Sequence, residues 1–298
     1  MIKHLVISGG ATSGFAFFGV MKELIAQNIF TIDNIESFYA TSIGTFMAVL
    51  FSLKYTVEEL EMFLMDRPWN HVFKIDFNTM LYAMKEGGMF QREQIEQSFR
   101  PVLLGKELSM DITLEEFYEV TKKEIHFYTT EYNKLELCDI SYKTHPQWYL
   151  IDAIYASCCL PILFKPCLLK GHYYIDGAIL LNYPLLKCLE KNEPDTILGI
   201  YRESKKENAT TSSPYVDSSP YKLTDYLISL IFKIWTVLKK QQFGSLNESL
   251  VNQQIAVDCP NDPLAIMKAF ESKEERLRLM EIGVETVKHY HESTILYN

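Results

Sequence analysis

The chain has 298 residues, 48% of them hydrophobic and 13% aromatic, enough to bury a large core in one or two units. A formal charge of −9 argues against nucleic acid as a partner and against strong electrostatic adhesion to anionic lipid, so any membrane contact must be local and hydrophobic. Six cysteines (138, 158, 159, 167, 188 and 259) make no CxxC pair and no regular spacing, which excludes a disulfide framework or a zinc site and fits a reducing, cytosolic setting.

The first residues, "MIKHLVIS", run straight into a strand and leave no room for a signal peptide. Gly9 and Gly10 break that strand, and 13–28 carries apolar residues at helical spacing. "IESFYA" reads as a second strand and 45–55 as a second helix. Thr56 and Glu59 have the spacing of a capping box, and about 65–120 reads as mainly helical, interrupted by "EGGMF". Further strands are expected at 124–132 and 195–201. The alternation predicts an α/β fold with a mostly parallel sheet covered by helices, and residues 1–298 read as one domain.

The stretch 202–221 is polar and rich in Ser and Pro, so a surface loop is expected. The helix expected at 222–240 is apolar nearly all round, fitting a buried or partner-covered helix or one that touches lipid. A second capping box, Ser272 to Glu275, opens a helix running to about His291. No apolar run is long enough to span a bilayer.

Three places could carry chemistry. Ser42 lies in "YATSIG", between the second strand and the second helix. A serine capping a helix fits, and so does a nucleophile exposed on a tight bend, whose second neighbours on either side must be small. Ala40 and Gly44 meet that demand. The loop Gly9, Gly10, Ala11, Thr12, Ser13, Gly14 could be an ordinary helix start, or it could aim backbone N–H groups at a developing oxyanion. Its glycines are not in dinucleotide-binding order and no P-loop lysine is present, so nucleotide is not expected. Asp176 ends the alternating stretch "HYYI" and precedes Gly177 and Ala178. Asp-Gly is a common turn pair, but a glycine there also lets substrate approach a carboxylate acting as base. A Ser-Asp-His arrangement would need His289 or His291, which lie on the charged last helix.

In order, these are a glycine-rich loop after the first strand, a serine bend after the second, and an Asp-Gly-Ala farther on. That arrangement resembles the patatin-like phospholipase family. "ASCCLPILFKP" (156–166) and "LLNYP" (180–184) add to the likeness, which covers about residues 4–200. The resemblance implies a three-layer α/β/α fold and a Ser42/Asp176 dyad without histidine. It also implies oxyanion donors from the Gly9–Gly14 loop and hydrolysis of fatty acyl esters of phospholipids or neutral lipids, with no cofactor. With the cysteine usage, the expected function is a cytosolic lipid acyl hydrolase working at a membrane surface. The family loop usually reads G-G-G-x-[K/R]-G, whereas here Ala11 replaces the third glycine and Ser13 the basic residue. If Ala11 takes a positive φ, strain of about 1 kcal/mol follows. A catalytically weak lipid-binding protein on the same fold is the competing reading.

Overall fold

The computed structural model describes residues 1–74, 76, 79, 83, 85–203, 237, 251, 253–260 and 263–295. Ten strands are described. They are β1 (His4–Ile7), β2 (Ser37–Thr41), β3 (Gly88–Phe90), β4 (Glu124–Glu131), β5 (Glu136–Ile140), β6 (Ile162–Phe164), β7 (Cys167–Leu169), β8 (His172–Asp176), β9 (Ile197–Arg202) and β10 (Gln254–Val257). The helices that frame them are α1 (Ser13–Ala26), α2 (Ile43–Ser52), α3 (Val57–Asp66), α4 (Trp69–Val72), α5 (Arg92–Leu104), α6 (Leu114–Thr121), α7 (Leu150–Cys158), α8 (Leu185–Leu189), α9 (Pro263–Glu271) and α10 (Lys273–Ile295).

The central sheet is mostly parallel, as the strand–helix alternation requires. Strands β10, β9, β1, β2 and β4 run the same way side by side. Both faces are covered, so β1 and β2 are buried along their whole length instead of alternating buried with exposed residues. Leu5, Phe38 and Phe127 face the larger core beneath α1, α2 and α7. Their neighbours Val6, Tyr39 and Tyr128 face a thinner layer built from Tyr183, Leu185 and Cys188 around α8. Three layers result.

The far end of the sheet turns antiparallel, and this positions the site. β5 pairs with β4 along 127–131, filling one edge of it. β2 pairs with the other edge only as far as Tyr128. β8 then takes up that same edge from Thr129 to Glu131, running the opposite way. The last residues of β2 and β8 therefore meet end to end.

The last helix is integral to the core. Gly19 of α1 and Gly283 of α10 bring the two backbones together: a methyl on Gly19 would strike the Met280 carbonyl, and one on Gly283 the Ala16 carbonyl. The Thr56–Glu59 capping box forms in both directions. At Ser272 only half of the expected box is seen. Glu275 N–H donates to Ser272 Oγ at 3.1 Å, but the Glu275 carboxylate pairs with Arg278. Strand β9 reaches Arg202, one residue into the expected loop, while 204–221 and the expected 222–240 helix, apart from 237, lie outside the described residues. The three-residue strands β3 and β6, which pair with each other, fall in segments read without strands.

Candidate active site

Ser42 stands where β2 ends and α2 begins, with φ +55° and ψ −125°. A non-glycine residue there is strained, and such strain persists only where the surroundings enforce it. They do so on every side. The Ser42 N–H donates to Ser157 Oγ at 3.0 Å, and its carbonyl accepts from Thr45 Oγ1 at 2.6 Å. Thr41 Oγ1 donates to the Leu181 carbonyl at 2.9 Å. Ala40 is fully buried, and a methyl on Gly44 would strike the Ile7 carbonyl, so the small residues flanking the serine are dictated by close packing.

The Ser42 hydroxyl donates to Asp176 Oδ2 at 2.6 Å. Asp176 is 1% exposed, and its other oxygen, Oδ1, accepts from Ala178 N–H at 2.8 Å. That bond fixes the carboxylate while leaving Oδ2 directed at the serine. Gly177 fits because a methyl there would meet the Tyr128 carbonyl. Among the described residues no histidine bonds Ser42. His289 lies exposed on α10, and the side chain of His291 lies outside the described residues.

The Gly9–Gly14 loop lies against the serine. A methyl on Gly9 would sit 3.2 Å from Ser42 Cβ and 2.7 Å from Asn182 Oδ1. The six residues have different duties. Gly9 N–H donates to the Asn182 carbonyl, Ser13 N–H to Gly10, and Gly14 N–H to Ala11, so these three amides are already occupied. The N–H groups of Gly10, Ala11 and Thr12 meet no acceptor among the described residues. Ala11 does take a positive φ, +45°. Thr12 Oγ1 is buried without a hydrogen-bond partner. Ser13 is buried and accepts from the Cys259 thiol at 3.2 Å, so it faces the interior. Arg202 packs over Gly10, its N–H donating to Ser8 Oγ and its Nε to the Cys259 carbonyl.

Ser157 was not singled out from the sequence. It accepts from the Ser42 amide and donates to the Tyr128 carbonyl at 2.7 Å. Two residues on, the Cys159 carbonyl accepts from Asp176 N–H at 3.0 Å. One short segment at the end of α7 thus grips both partners. A signal was present: a serine inside the apolar run "AIYASCC" is expected to be buried, and a buried hydroxyl needs partners. The adjacent thiols do not compete as nucleophiles. Burial first, then the charge of Asp176, pushes the Cys158 thiol far above its ordinary pKa, and burial does the same to Cys159. No group of three or more His, Cys, Asp or Glu among the described residues could hold a metal ion.

Fold and geometry define an α/β protein with a serine–carboxylate pair at the C-terminal edge of its sheet. Residues 5–189 match the model of the patatin-like phospholipase family, and the chain belongs to that family. It is 23% identical over 289 residues to an uncharacterized protein of Acanthamoeba polyphaga mimivirus, covering 96% of this chain and 93% of that protein. It is 28% identical over 185 residues to a protein of Invertebrate iridescent virus 6 named a probable lipid hydrolase. That match covers 61% of this chain and 62% of its relative. Among solved structures it is similar in fold to VipD of Legionella pneumophila, with TM-score 0.50 and 15% identity, over 94% of this chain and 67% of that one.

Proposed function

We propose that this protein is a lipid acyl hydrolase of the phospholipase A type, with Ser42 as nucleophile and Asp176 as general base. The observation that carries this reading is the 2.6 Å hydrogen bond from Ser42 Oγ to Asp176 Oδ2 beside three amides with no acceptor among the described residues. As Oγ attacks the ester carbonyl carbon, its proton passes to Oδ2. Charge then develops on the carbonyl oxygen, where Gly10, Ala11 and Thr12 N–H groups can receive it. Collapse of the tetrahedral intermediate breaks the bond to the alcohol oxygen, which takes the proton from Asp176. An acyl-Ser42 remains. Water, deprotonated by the same carboxylate, attacks the acyl carbon and releases fatty acid and free Ser42.

Glycerophospholipid is the substrate this reading favours, ahead of triacylglycerol or a simple ester. The chain acts as one domain in the cytosol, reaching its substrate at a membrane surface. Among the described residues no helix is long and apolar enough to cross a membrane. The test is incubation of the folded protein with a fluorophosphonate, followed by intact and peptide mass spectrometry. A single adduct on Ser42, lost in Ser42→Ala, is expected. Folded protein that takes no adduct would leave a lipid-binding protein instead.

A further inference from the structure

We propose that two neighbouring hairpin tips, 132–135 and 168–173, form the surface that rests on lipid, directly past the end of the sheet that holds Ser42. This rests on the acyl hydrolase reading above and names the partner of that site.

Four large apolar residues are exposed together there. Tyr132, Leu135, Leu168 and Tyr173 are between 42% and 58% exposed. Leu168 and Tyr173 are cross-strand partners, so their side chains share one face of the sheet. Tyr132 is next in line, its N–H donating to the Tyr173 carbonyl at 2.8 Å, and Leu135 closes the same turn. The result is a stripe crossing the ends of β4, β8 and β7. Singly exposed apolar residues need no explanation, but a contiguous run of them does.

Position and charge decide the occupant. Ser42 follows Thr41, the partner of Tyr128 in β4, so Tyr132 projects about 10 Å farther along the strand direction. β8 brings Asp176 back from that projecting end. A surface touching the tips would therefore face the edge of the sheet where Ser42 and Asp176 meet, within about half a lipid's length. Each tip carries a lysine, Lys134 in one turn and Lys170 in the other, and both are exposed. Glu131 pairs with Tyr174 and Glu136, so all three occupy the face opposite to Leu168 and Tyr173, and the buried Glu131 carboxylate is taken up by the Asn133 and Lys134 amides and by His172. In a chain of net charge −9, this face presents tyrosine, leucine and lysine. Tyrosine rings sit well at the boundary of headgroup and acyl chain, and lysine ammonium groups reach the phosphates. A soluble protein partner would not require this alignment with the catalytic edge.

The test uses full-length protein carrying Ser42→Ala, so that lipid stays intact, floated with vesicles of phosphatidylcholine and phosphatidylserine in equal parts. Adding Leu168→Ser and Tyr173→Ser together should weaken partitioning about tenfold or more. Lys134→Glu with Lys170→Glu should weaken it on these vesicles more than on pure phosphatidylcholine. Leu168→Trp, which keeps the site apolar, should add an indole that brominated phosphatidylcholine quenches beyond the three native tryptophans. Partitioning unaffected by the serine pair, or a new indole that bromine does not quench, overturns the proposal. Because docking is read without turnover, its failure is separate from failure of the dyad, which shows only as hydrolysis surviving in Ser42→Ala alone.

Discussion

Ser42 and Asp176 are 134 positions apart in the chain, yet their side chains share a 2.6 Å hydrogen bond because β2 and β8 end against each other along one edge of β4. On the reading proposed above, the buried carboxylate takes the serine proton without a third residue. Ser42→Ala should abolish hydrolysis of a short-chain p-nitrophenyl ester, and Asp176→Asn should lower kcat by about a thousandfold or more. The two changes together should cost little more than either alone, since they act as a unit. His289→Ala and His291→Ala should leave the rate near that of the parent. A dead histidine variant that still folds would replace the dyad with a triad.

Ala11 keeps a φ of +45°, a conformation that costs a residue with a Cβ about 1–2 kcal/mol. Ala11→Gly should release that strain at the expense of a more flexible unfolded chain, for a net gain of about 0.5–1 kcal/mol. The midpoint of thermal unfolding should rise by about 2 °C. The amide stays in place, so the esterase rate should remain within about twofold, and a large fall would mean that the site needs the methyl group or the stiffness of the loop as well as the amide.

Ser157 holds the strained elbow through the Ser42 N–H and also reaches the Tyr128 carbonyl. Removing it in Ser157→Ala strands a buried donor and costs about 1–3 kcal/mol. If the bond also sets the angle at which Oγ meets Asp176, kcat should fall about 10–100-fold with KM nearly constant. Ser52→Ala is the matched comparison, because Ser52 is likewise buried and donates to a backbone carbonyl, but within α2. Equal losses of activity in the two variants would reduce Ser157 to a stability role.

The parts legible in the sequence are those whose signals are local. Gly9 and Gly10 after an apolar run mark the loop, and Ser42 between two apolar runs marks the bend. Thr56 with Glu59 marks a helix start, and the box forms as its spacing requires. The unread parts depend on partners remote in the chain. Strands of three residues such as β3, β6 and β7 are too short to show a period. Ser157 gains its meaning from a backbone amide 115 positions away. The loop amides could be named as candidates but not sorted, because Gly9 N–H is consumed by Asn182, a residue from the far end of the motif.

His126 is buried on β4 between two carboxylates, with Nδ1 2.8 Å from Asp139 Oδ1 and Nε2 3.2 Å from Glu124 Oε1. The second contact is an ion pair without the alignment of a hydrogen bond. The ring stacks on Tyr39 at 4.2 Å. Burial alone would lower the pKa of His126, but the bonds and charges of Asp139 and Glu124 outweigh it and the net shift is upward. Glu124 is drawn down to about 2, chiefly by its contact with His126 and also by Lys143. A raised histidine pKa contributes stability that is complete below its unfolded value and disappears as pH climbs through the folded one. A depressed glutamate pKa works in the opposite direction, its contribution disappearing as pH falls toward about 2. The cluster is therefore strongest in the mildly acidic range and weakens on the alkaline side. In urea unfolding the free energy of unfolding of the parent should drop between about pH 6 and pH 9, while that of His126→Gln should start lower by about 2 kcal/mol and change less over the same interval. Parallel curves for the two proteins would mean that His126 stays neutral throughout.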